Sequence, residues 1–565
     1  MRIYQEFLKK GHDIHPVNDF REIVYNSAKR YGTLPAFVLR DRTITYNQLE
    51  KEYKAVSSYL LKNGYKNQRI AVVGANGYGW ILAYMAATTV GVSVPIDKEL
   101  DIDDILNFVK EAECTAIFAD AKILDKIPEE LGLARFSIAP DKKVVFNGET
   151  IENLVEQGEK IYNEGFTEID SLEINPEEMS ILIFTSGTTG KSKGVCLSQK
   201  NICANINSTA RMVKVDPTLH SLSVLPLHHT YETTLGHMLL LSGGSCISYA
   251  DGLRQVAKNI TEYRPSVLIV VPLLLEFILK RINVTIRESL PKKLVPPEDV
   301  SLLDMIKGLP GIIRFIVKRK IRKSLGGKLR LLIVGAAPIK PETIETFCYL
   351  GITTYQGYGL TECSPLIAGN NDFYMNAAAV GLPIPGVEIK IDNPNSEGVG
   401  EVVAKGDNIM LGYYKDEEAT ANAMRGGYFH TGDLGYFDED GFLYLTGRCK
   451  NVIVAQNGKN IYPEELEERL SECDVVEEVL VLGVPDNKGG TTIKAKIFPC
   501  IDKIKEIYQT KIPSAEQIKA EISKAVSSIN DKLPTYKKII ITEIVSEAFE
   551  KTTTKKIKRF GNNVI

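Results

Sequence analysis

The chain has 565 residues, 44% of them hydrophobic and 25% charged, and a formal net charge of −3. That length is too great for one core and calls for two or more domains, while the near-neutral charge gives no footprint for nucleic acid. Nine cysteines scattered singly from Cys114 to Cys500 exclude a disulfide framework and a cysteine zinc site, and read as a reduced intracellular pattern. The seven histidines make no HExxH-type spacing, so a metal would take oxygen ligands. Residues 1–16 are charged and lack a signal-peptide core, and no apolar run approaches the roughly 20 residues of a membrane span. The expectation is a soluble, cytoplasmic protein.

Residues 20–65 alternate helical periodicity with a short strand pair around 37–46. RIAVVG (69–74) reads as a buried strand, followed by Asn76 and a helix carrying the single tryptophan, Trp80, expected to pack between helix and sheet. Further strands are expected at 92–96, 115–120, 143–146 and 180–184. Strands alternating with helices and glycine turns predict a mostly parallel, doubly wound α/β sheet.

After 180–184 comes TSGTTGKSKG (185–194), with three glycines, five hydroxyl side chains and two lysines. Such a loop can wrap phosphate: backbone N–H groups and hydroxyls donate, lysines supply charge, and glycines let the main chain approach. The ordinary P-loop spacing fails, because it needs glycine five residues before Gly190 and Thr185 stands there. A helix from about Lys200 follows, then SLSVLPL (221–227) running into His228, His229, Thr230, Tyr231 and Glu232. Apolar strands are expected at 268–272 and 331–334, the latter ending in Gly335-Ala336-Ala337-Pro338. The glycine loop, the His pair and this turn all follow strands, where open α/β sheets gather ligands.

Residues 305–328 are basic, with Lys307, Arg314, Lys318, Arg319, Lys320, Arg322 and Lys323, and are helical in pattern past Pro310-Gly311. Leu309, Ile312, Ile313, Phe315 and Ile316 give an apolar side. Such a helix either lies as a solvated face over the core or rests peripherally on anionic membrane. From Gly381 short strands and turns indicate a β-rich subdomain. Past Arg448 the pattern resets: a hairpin at 450–458, helices at 463–470 and 515–529, and strands at 475–483 and 491–497 form a small α+β domain.

Three more stretches join the glycine loop: QGYGLTECSP (356–365), GYFHTGDLGYFDEDGFLYLTGRCKNVI (427–453) and KTTTKKIKR (551–559). In order and spacing, the set resembles the acyl-adenylate-forming superfamily of AMP-binding enzymes, over nearly the whole chain. LPLHHTYE (225–232), LGGKLRLLIVGAAPI (325–339) and GEVVAKGDNIMLGYYKDEEAT (400–420) resemble the long-chain fatty acyl-CoA synthetases within it. The resemblance implies a large N-terminal domain of doubly wound sheets plus the β-rich subdomain (1–447), followed by a small mobile α+β C-terminal domain (448–565). It also implies ATP-dependent conversion of a carboxylic acid to acyl-AMP with release of pyrophosphate, then transfer to CoA. An acyl carrier protein as acceptor, or an aryl or branched acid as substrate, keeps the same chemistry.

By the same resemblance Thr185, Ser186, Gly187, Thr188, Thr189 and Lys193 cradle the β- and γ-phosphates, and Glu362 with Thr185 holds Mg²⁺. Gly335, Ala336 and Ala337 lie along adenine, Tyr358 stacks on it, and Gln356 and Gly357 border it. Thr361 reaches the α-phosphate, Asp433 takes the ribose hydroxyls and Arg448 assists. Lys556 is the adenylation lysine, next to Lys555 where the family has glycine. Lys450 is a hinge and Gly458 lies on the thiol side. His229 either gates the acid or is a packed core histidine. ATP, Mg²⁺ and CoA are the implied co-substrates and cofactor.

Overall fold

The computed structural model describes residues 2–139, 148–185, 192–297, 300–454, 460–485, 491–551, 557–559 and 563. The strand expected at 143–146, together with Ser186, Gly187, Thr188, Thr189, Gly458, Lys555 and Lys556, lies outside them.

Two large sheets carry the N-terminal part. In the first, nine strands run in the order Leu382–Pro383, Leu366–Gly369, Thr353–Gly359, Leu331–Val334, Val267–Val270, His220–Ser223, Cys246–Tyr249, Pro35–Val38 and Thr43–Thr45. The six from Thr353–Gly359 to Pro35–Val38 are parallel, and both edges are antiparallel. The second has eight strands: Gly412–Tyr413, Lys193–Ser198, Met179–Thr185, Val92–Ile96, Arg69–Val73, Ala116–Asp120, Ala134–Ala139 and Glu149–Thr150. Here too the centre is parallel, with antiparallel pairing where the chain returns through Lys193–Ser198. The expected α/β class holds.

The helix Tyr78–Val90 is buried on every side, as an all-round apolar sequence (WILAYMAATTV) demands. Trp80 is 1% exposed and stacks on Tyr84 at 5.3 Å, so it packs the interior as expected. From the same helix, Tyr84 meets Phe20 and Tyr78 meets Phe37 of the nine-stranded sheet. Gln199–Met212 opens with a capping box at Ser198 and Asn201. Its buried Asn201 and Asn205 spend their amides on distant backbone, Asn201 on Asp407 and Ile409 carbonyls and Asn205 on those of Cys363 and Leu366. This helix thereby fixes two loops that reappear in the site.

Two elements differ from expectation. The strand Val267–Val270 stops short of 272, because Pro272 lacks an N–H for the ladder and instead opens the helix Pro272–Ser289. Residues 305–328 contain two helices, Leu302–Gly308 and Gly311–Ser324, parted at Pro310. On the second, Val317 and Ile321 are buried while Ile312, Phe315 and Ile316 are 79%, 66% and 57% exposed. Among the described residues no helix is long and apolar enough to cross a membrane.

The β-rich stretch forms a five-stranded sheet of Glu388–Asp392, Gly400–Lys405, Tyr428–Phe437, Met424–Arg425 and Leu443–Arg448. Beyond it, residues from Ile453 to Ile539 build a hydrophobic core of their own. A three-stranded sheet, Val476–Pro485, Thr491–Pro499 and Ile541–Ile544, packs there with Pro463–Ser471 and Ala515–Asn530.

Candidate active site

One cleft is lined from both sides of the chain, by Thr185, Gly335 and Glu362 as well as by Asp433, Lys450 and Arg559.

The glycine loop joins the antiparallel strands Met179–Thr185 and Lys193–Ser198, with Thr185 opposite Lys193. The Thr185 hydroxyl donates to the Lys193 carbonyl at 3.4 Å. Only the two ends of the loop are described. Lys193 holds its ammonium 4.6 Å from the centre of the Tyr413 ring, and the Tyr413 hydroxyl donates to Glu362 Oε1 at 3.0 Å.

Glu362 sits in a one-turn helix, Thr361–Cys363, directly after the strand Thr353–Gly359. Its carbonyl accepts from Met410 N–H at 2.8 Å, and Asn408 donates to the Cys363 and Leu366 carbonyls. The turn closes so tightly that a Cβ on Gly359 would stand 1.8 Å from the Pro365 carbonyl oxygen. Only glycine fits there, which explains the second glycine of QGYG in physical terms.

Val334 lies beside Gln356 in parallel register, so Gly335-Ala336-Ala337 leaves its strand next to Gln356-Gly357-Tyr358. Ala336 has φ of +70°, a left-handed conformation costly for a residue with Cβ. From behind, the Tyr231 hydroxyl reaches the Ile333 and Val270 carbonyls, at 3.0 and 3.3 Å, and fixes the strand ends that precede the turn.

Asp433 is 6% exposed and faces Arg448 across antiparallel strands. Arg448 Nε donates to Oδ1 at 2.7 Å, and the Tyr358 hydroxyl donates to Oδ2, also at 2.7 Å. Thr431 accepts from Asp433 N–H at 3.0 Å and donates to the Val402 carbonyl at 2.7 Å, which locks the turn. Burial first, and Asp433 second, push the Tyr358 phenol well above its ordinary range, so it remains a donor.

The His228 and His229 rings lie 4.0 Å apart, tilted at 53°, and His228 Nε2 lies 3.6 Å from Asp97. Burial, with Lys98 nearby, lowers His228 to about 4, so it is neutral at pH 7. Both line the cleft. Behind them Glu232 is 1% exposed, and desolvation lifts its carboxyl to about 8. Its neighbour His237, held by the Glu232 carbonyl at 3.1 Å, is driven down to about 4 by the same burial.

Lys450 is exposed in the turn Cys449–Asn451, and the strands Ile453–Val454 and Asn460–Ile461 pair as the expected hairpin, its tip and Gly458 outside the described residues. Lys556 is likewise not described; Lys551 and Ile557, on either side of it, form an antiparallel bridge and line the cleft. Among the described residues one His–carboxylate group could hold a metal: Asp392, Glu401 and His430. Arg425 already supplies a cation there, 3.0 Å from His430 and 3.6 Å from Glu401.

The structure therefore brings Thr185, Lys193 and Glu362 together, and separately Tyr358, Asp433 and Arg448, with the Gly335–Ala337 turn beside Gln356 and Gly357. Tyr413 was not reachable from the sequence: it meets Glu362 across 51 residues, and no local spacing marks it.

Known proteins resemble this chain in sequence and in fold. Residues 24–414 match the AMP-binding enzyme family and residues 450–560 the AMP-binding enzyme C-terminal domain. Long-chain-fatty-acid–CoA ligase 1 of Cavia porcellus is 30% identical over 481 residues, 78% of this chain and 67% of that protein. Long-chain-fatty-acid–CoA ligase FadD15 of Mycobacterium bovis is 26% identical over 460 residues, 78% and 75% of the two chains. The fold matches o-succinylbenzoate CoA synthetase of Bacillus subtilis in complex with its acyl-adenylate intermediate, with a TM-score of 0.71, 21% identity and 96% and 97% of the two chains covered. ATP-bound MatB of Rhodopseudomonas palustris gives 0.72 at 20% identity, again over 96% and 97%. The chain belongs to the AMP-binding enzyme family.

Proposed function

We propose that this protein is an AMP-forming acid–thiol ligase that activates a long-chain fatty acid with ATP and passes the acyl group to CoA. The observation that carries the adenylation half is the buried Asp433, with Tyr358 on one carboxylate oxygen and Arg448 on the other. It lies in the cleft that the Gly335 turn and Glu362 also line. The relatives named long-chain-fatty-acid–CoA ligases support the choice of acid and acceptor.

In the first half-reaction a carboxylate oxygen attacks the α-phosphorus, a new O–P bond forms, and the bond to the β-phosphate oxygen breaks to release pyrophosphate. An anion meets a polyanion, so the protein's contribution is charge neutralisation and alignment. Thr185, Ser186, Gly187, Thr188, Thr189 and Lys193 hold the terminal phosphates, and Thr361 and Lys556 act at the α-phosphate. Gly335, Ala336, Ala337, Gln356 and Gly357 frame adenine, Tyr358 stacks on it, and Asp433 with Arg448 holds the ribose. Glu362 and the Thr185 hydroxyl are hard oxygen donors that suit Mg²⁺, which keeps most of its waters and takes one or two protein ligands. When bound, it neutralises phosphate charge.

In the second half-reaction the thiol sulfur attacks the acyl carbon, AMP leaves and the thiol proton is lost. Residues 448–565 act as a lid turning near Lys450, withdrawing Lys556 and presenting the Gly458 hairpin to the thiol. His229 gates the acid. The exposed Ile312, Phe315 and Ile316, beside Arg319, Lys320 and Lys323, support peripheral contact with anionic membrane through 305–328. Neutralising Arg319, Lys320 and Arg322 should abolish sedimentation with anionic vesicles; unchanged sedimentation refutes that contact.

The test of function is acid-dependent pyrophosphate release across saturated acids of increasing length and benzoate, with and without CoA. A maximum at long chains, accelerated by CoA and lost in Lys556→Ala, is the expected result. A maximum with short or aryl acids rejects the substrate, and release that CoA fails to accelerate points to a carrier-protein acceptor. No release with any acid rejects the enzyme reading and makes Lys555→Gly the first variant to test.

A further inference from the structure

The stretch NIMLGYYK (408–415) has no role in the chemistry above, yet its Gly412–Tyr413 pairs with the strand that follows the glycine loop. Gly412–Tyr413 is an edge strand of the eight-stranded sheet, with Tyr413 opposite Val195 just past Lys193. Gly412 turns with φ of +149°, and Tyr413 N–H donates to the Thr420 hydroxyl at 2.8 Å, which in turn donates to the Asp416 carbonyl at 2.8 Å. Three residues upstream, Met410 N–H grips the Glu362 carbonyl. The tyrosine backbone is thus fastened at both ends, and its ring is partly buried.

That ring meets two groups of opposite charge. The Lys193 ammonium lies over it at 4.6 Å, and its hydroxyl donates to Glu362 Oε1 at 3.0 Å. We propose that Tyr413 is a positioning residue of the adenylation site: its hydroxyl sets the Glu362 carboxylate for the metal–nucleotide complex, and its ring stations Lys193 at the mouth of the phosphate loop. The proposal rests on the reading of Glu362 as the magnesium carboxylate.

The physical case has three parts. A carboxylate on a short turn can swing between two equivalent oxygens, and a hydrogen bond to one of them leaves the other as a defined monodentate donor. The Tyr413 hydroxyl donates to Glu362 Oε1 at 3.0 Å from a backbone held in the sheet edge, so the bond has a fixed origin. A lysine drawn to an aromatic face is held by the ring quadrupole without neutralising the carboxylate. Direct pairing of Lys193 with Glu362 would cost the site both charges that the nucleotide needs.

The experiment is equilibrium binding of ATP to the full chain, by calorimetry, once with Mg²⁺ and once with EDTA. Tyr413→Phe, which keeps the ring and removes one oxygen, should weaken binding about tenfold with Mg²⁺, the lower bound for a hydrogen bond to a charged group. In EDTA it should match the wild type. Tyr413→Leu removes the ring as well and should weaken binding under both conditions, because Lys193 is released. Glu362→Gln should abolish the Mg²⁺ dependence, and adding Tyr413→Phe to it should change nothing further. If Glu362→Gln loses the Mg²⁺ dependence while Tyr413→Phe binds like the wild type, the inference about Tyr413 fails alone. If Glu362→Gln itself keeps the dependence, the metal reading of Glu362 fails and takes the inference with it.

Discussion

Asp433→Ala is the substitution that most directly tests the nucleotide site. The Asp433 carboxylate already accepts from Arg448 on one oxygen and from Tyr358 on the other, each at 2.7 Å. Two carboxylate oxygens offer about four acceptor positions, and the proposed reading gives the vicinal ribose hydroxyls a place among them. Hydrogen bonds to a charged acceptor contribute about 1.5–3 kcal/mol each. Losing both at the low end gives about 3 kcal/mol, or about 100-fold in affinity for AMP. The alanine variant also strips the buried Tyr358 hydroxyl of its acceptor, which destabilises the fold by about 1–3 kcal/mol, so a melting curve must accompany the measurement. Asp433→Asn keeps the shape and one acceptor oxygen, and should lose about tenfold. The assay is calorimetric binding of AMP and of 2′,3′-dideoxy-AMP to the wild type and both variants. The wild type should discriminate between the ligands about 100-fold, and Asp433→Ala should bind them alike. A dideoxy penalty that persists undiminished in Asp433→Ala would show that the ribose is held elsewhere and refute the reasoning.

Two further outcomes follow from the buried parts of the site. Glu232 has its carboxyl raised to about 8 by desolvation, against 4.5 in the unfolded chain. The folded state then binds the extra proton, so the stabilising contribution is complete below about 4.5 and falls by up to about 1.4 kcal/mol per pH unit as pH rises toward 8. Glu232→Gln removes that dependence, and its melting temperature should gain on the wild type between pH 5.5 and pH 8; parallel curves would refute the burial argument. Gly359→Ala would drive a methyl into the Pro365 carbonyl at 1.8 Å, a backbone atom that cannot swing aside. The turn carrying Thr361 and Glu362 must shift, and a displacement of about 1 Å costs on the order of 100-fold in kcat/KM; full activity in this variant would refute the tight-turn account.

Much of the α/β frame was legible because its strands are short apolar runs bounded by glycine and proline. The strands Val92–Ile96 and Leu331–Val334 fall where the residues alone put them. Trp80 was readable as packing because its helix is apolar on every side. Less legible were the ends of elements, where the competition is local and close. Pro272 ended one strand by opening a helix, and a short helix, Leu302–Gly308, stands ahead of the amphipathic one that the pattern marks past Pro310. The exposure of Ile312, Phe315 and Ile316 was equally out of reach, since periodicity gives the apolar side but not what covers it.

What the sequence determined by itself was the inventory of the site: the hydroxyl- and glycine-rich loop, the Gly-Ala-Ala turn, QGYGLTE, the aspartate of HTGD and the arginine that follows it. The glycine loop and the Gly-Ala-Ala turn are legible because each is a local run of residue types after an apolar strand, whereas QGYGLTE, Asp433 and Arg448 are named by the family resemblance. What only the tertiary structure decided was which of them meet. Asp433 receives Tyr358 from 75 residues away. Glu362 receives Tyr413 from 51 residues away. Asn205 reaches the Cys363 carbonyl across 158. The physical reason is that contacts of this kind are set by the order of strands in a sheet, which places distant segments edge to edge, and strand order is a property of the packed chain rather than of any window along it.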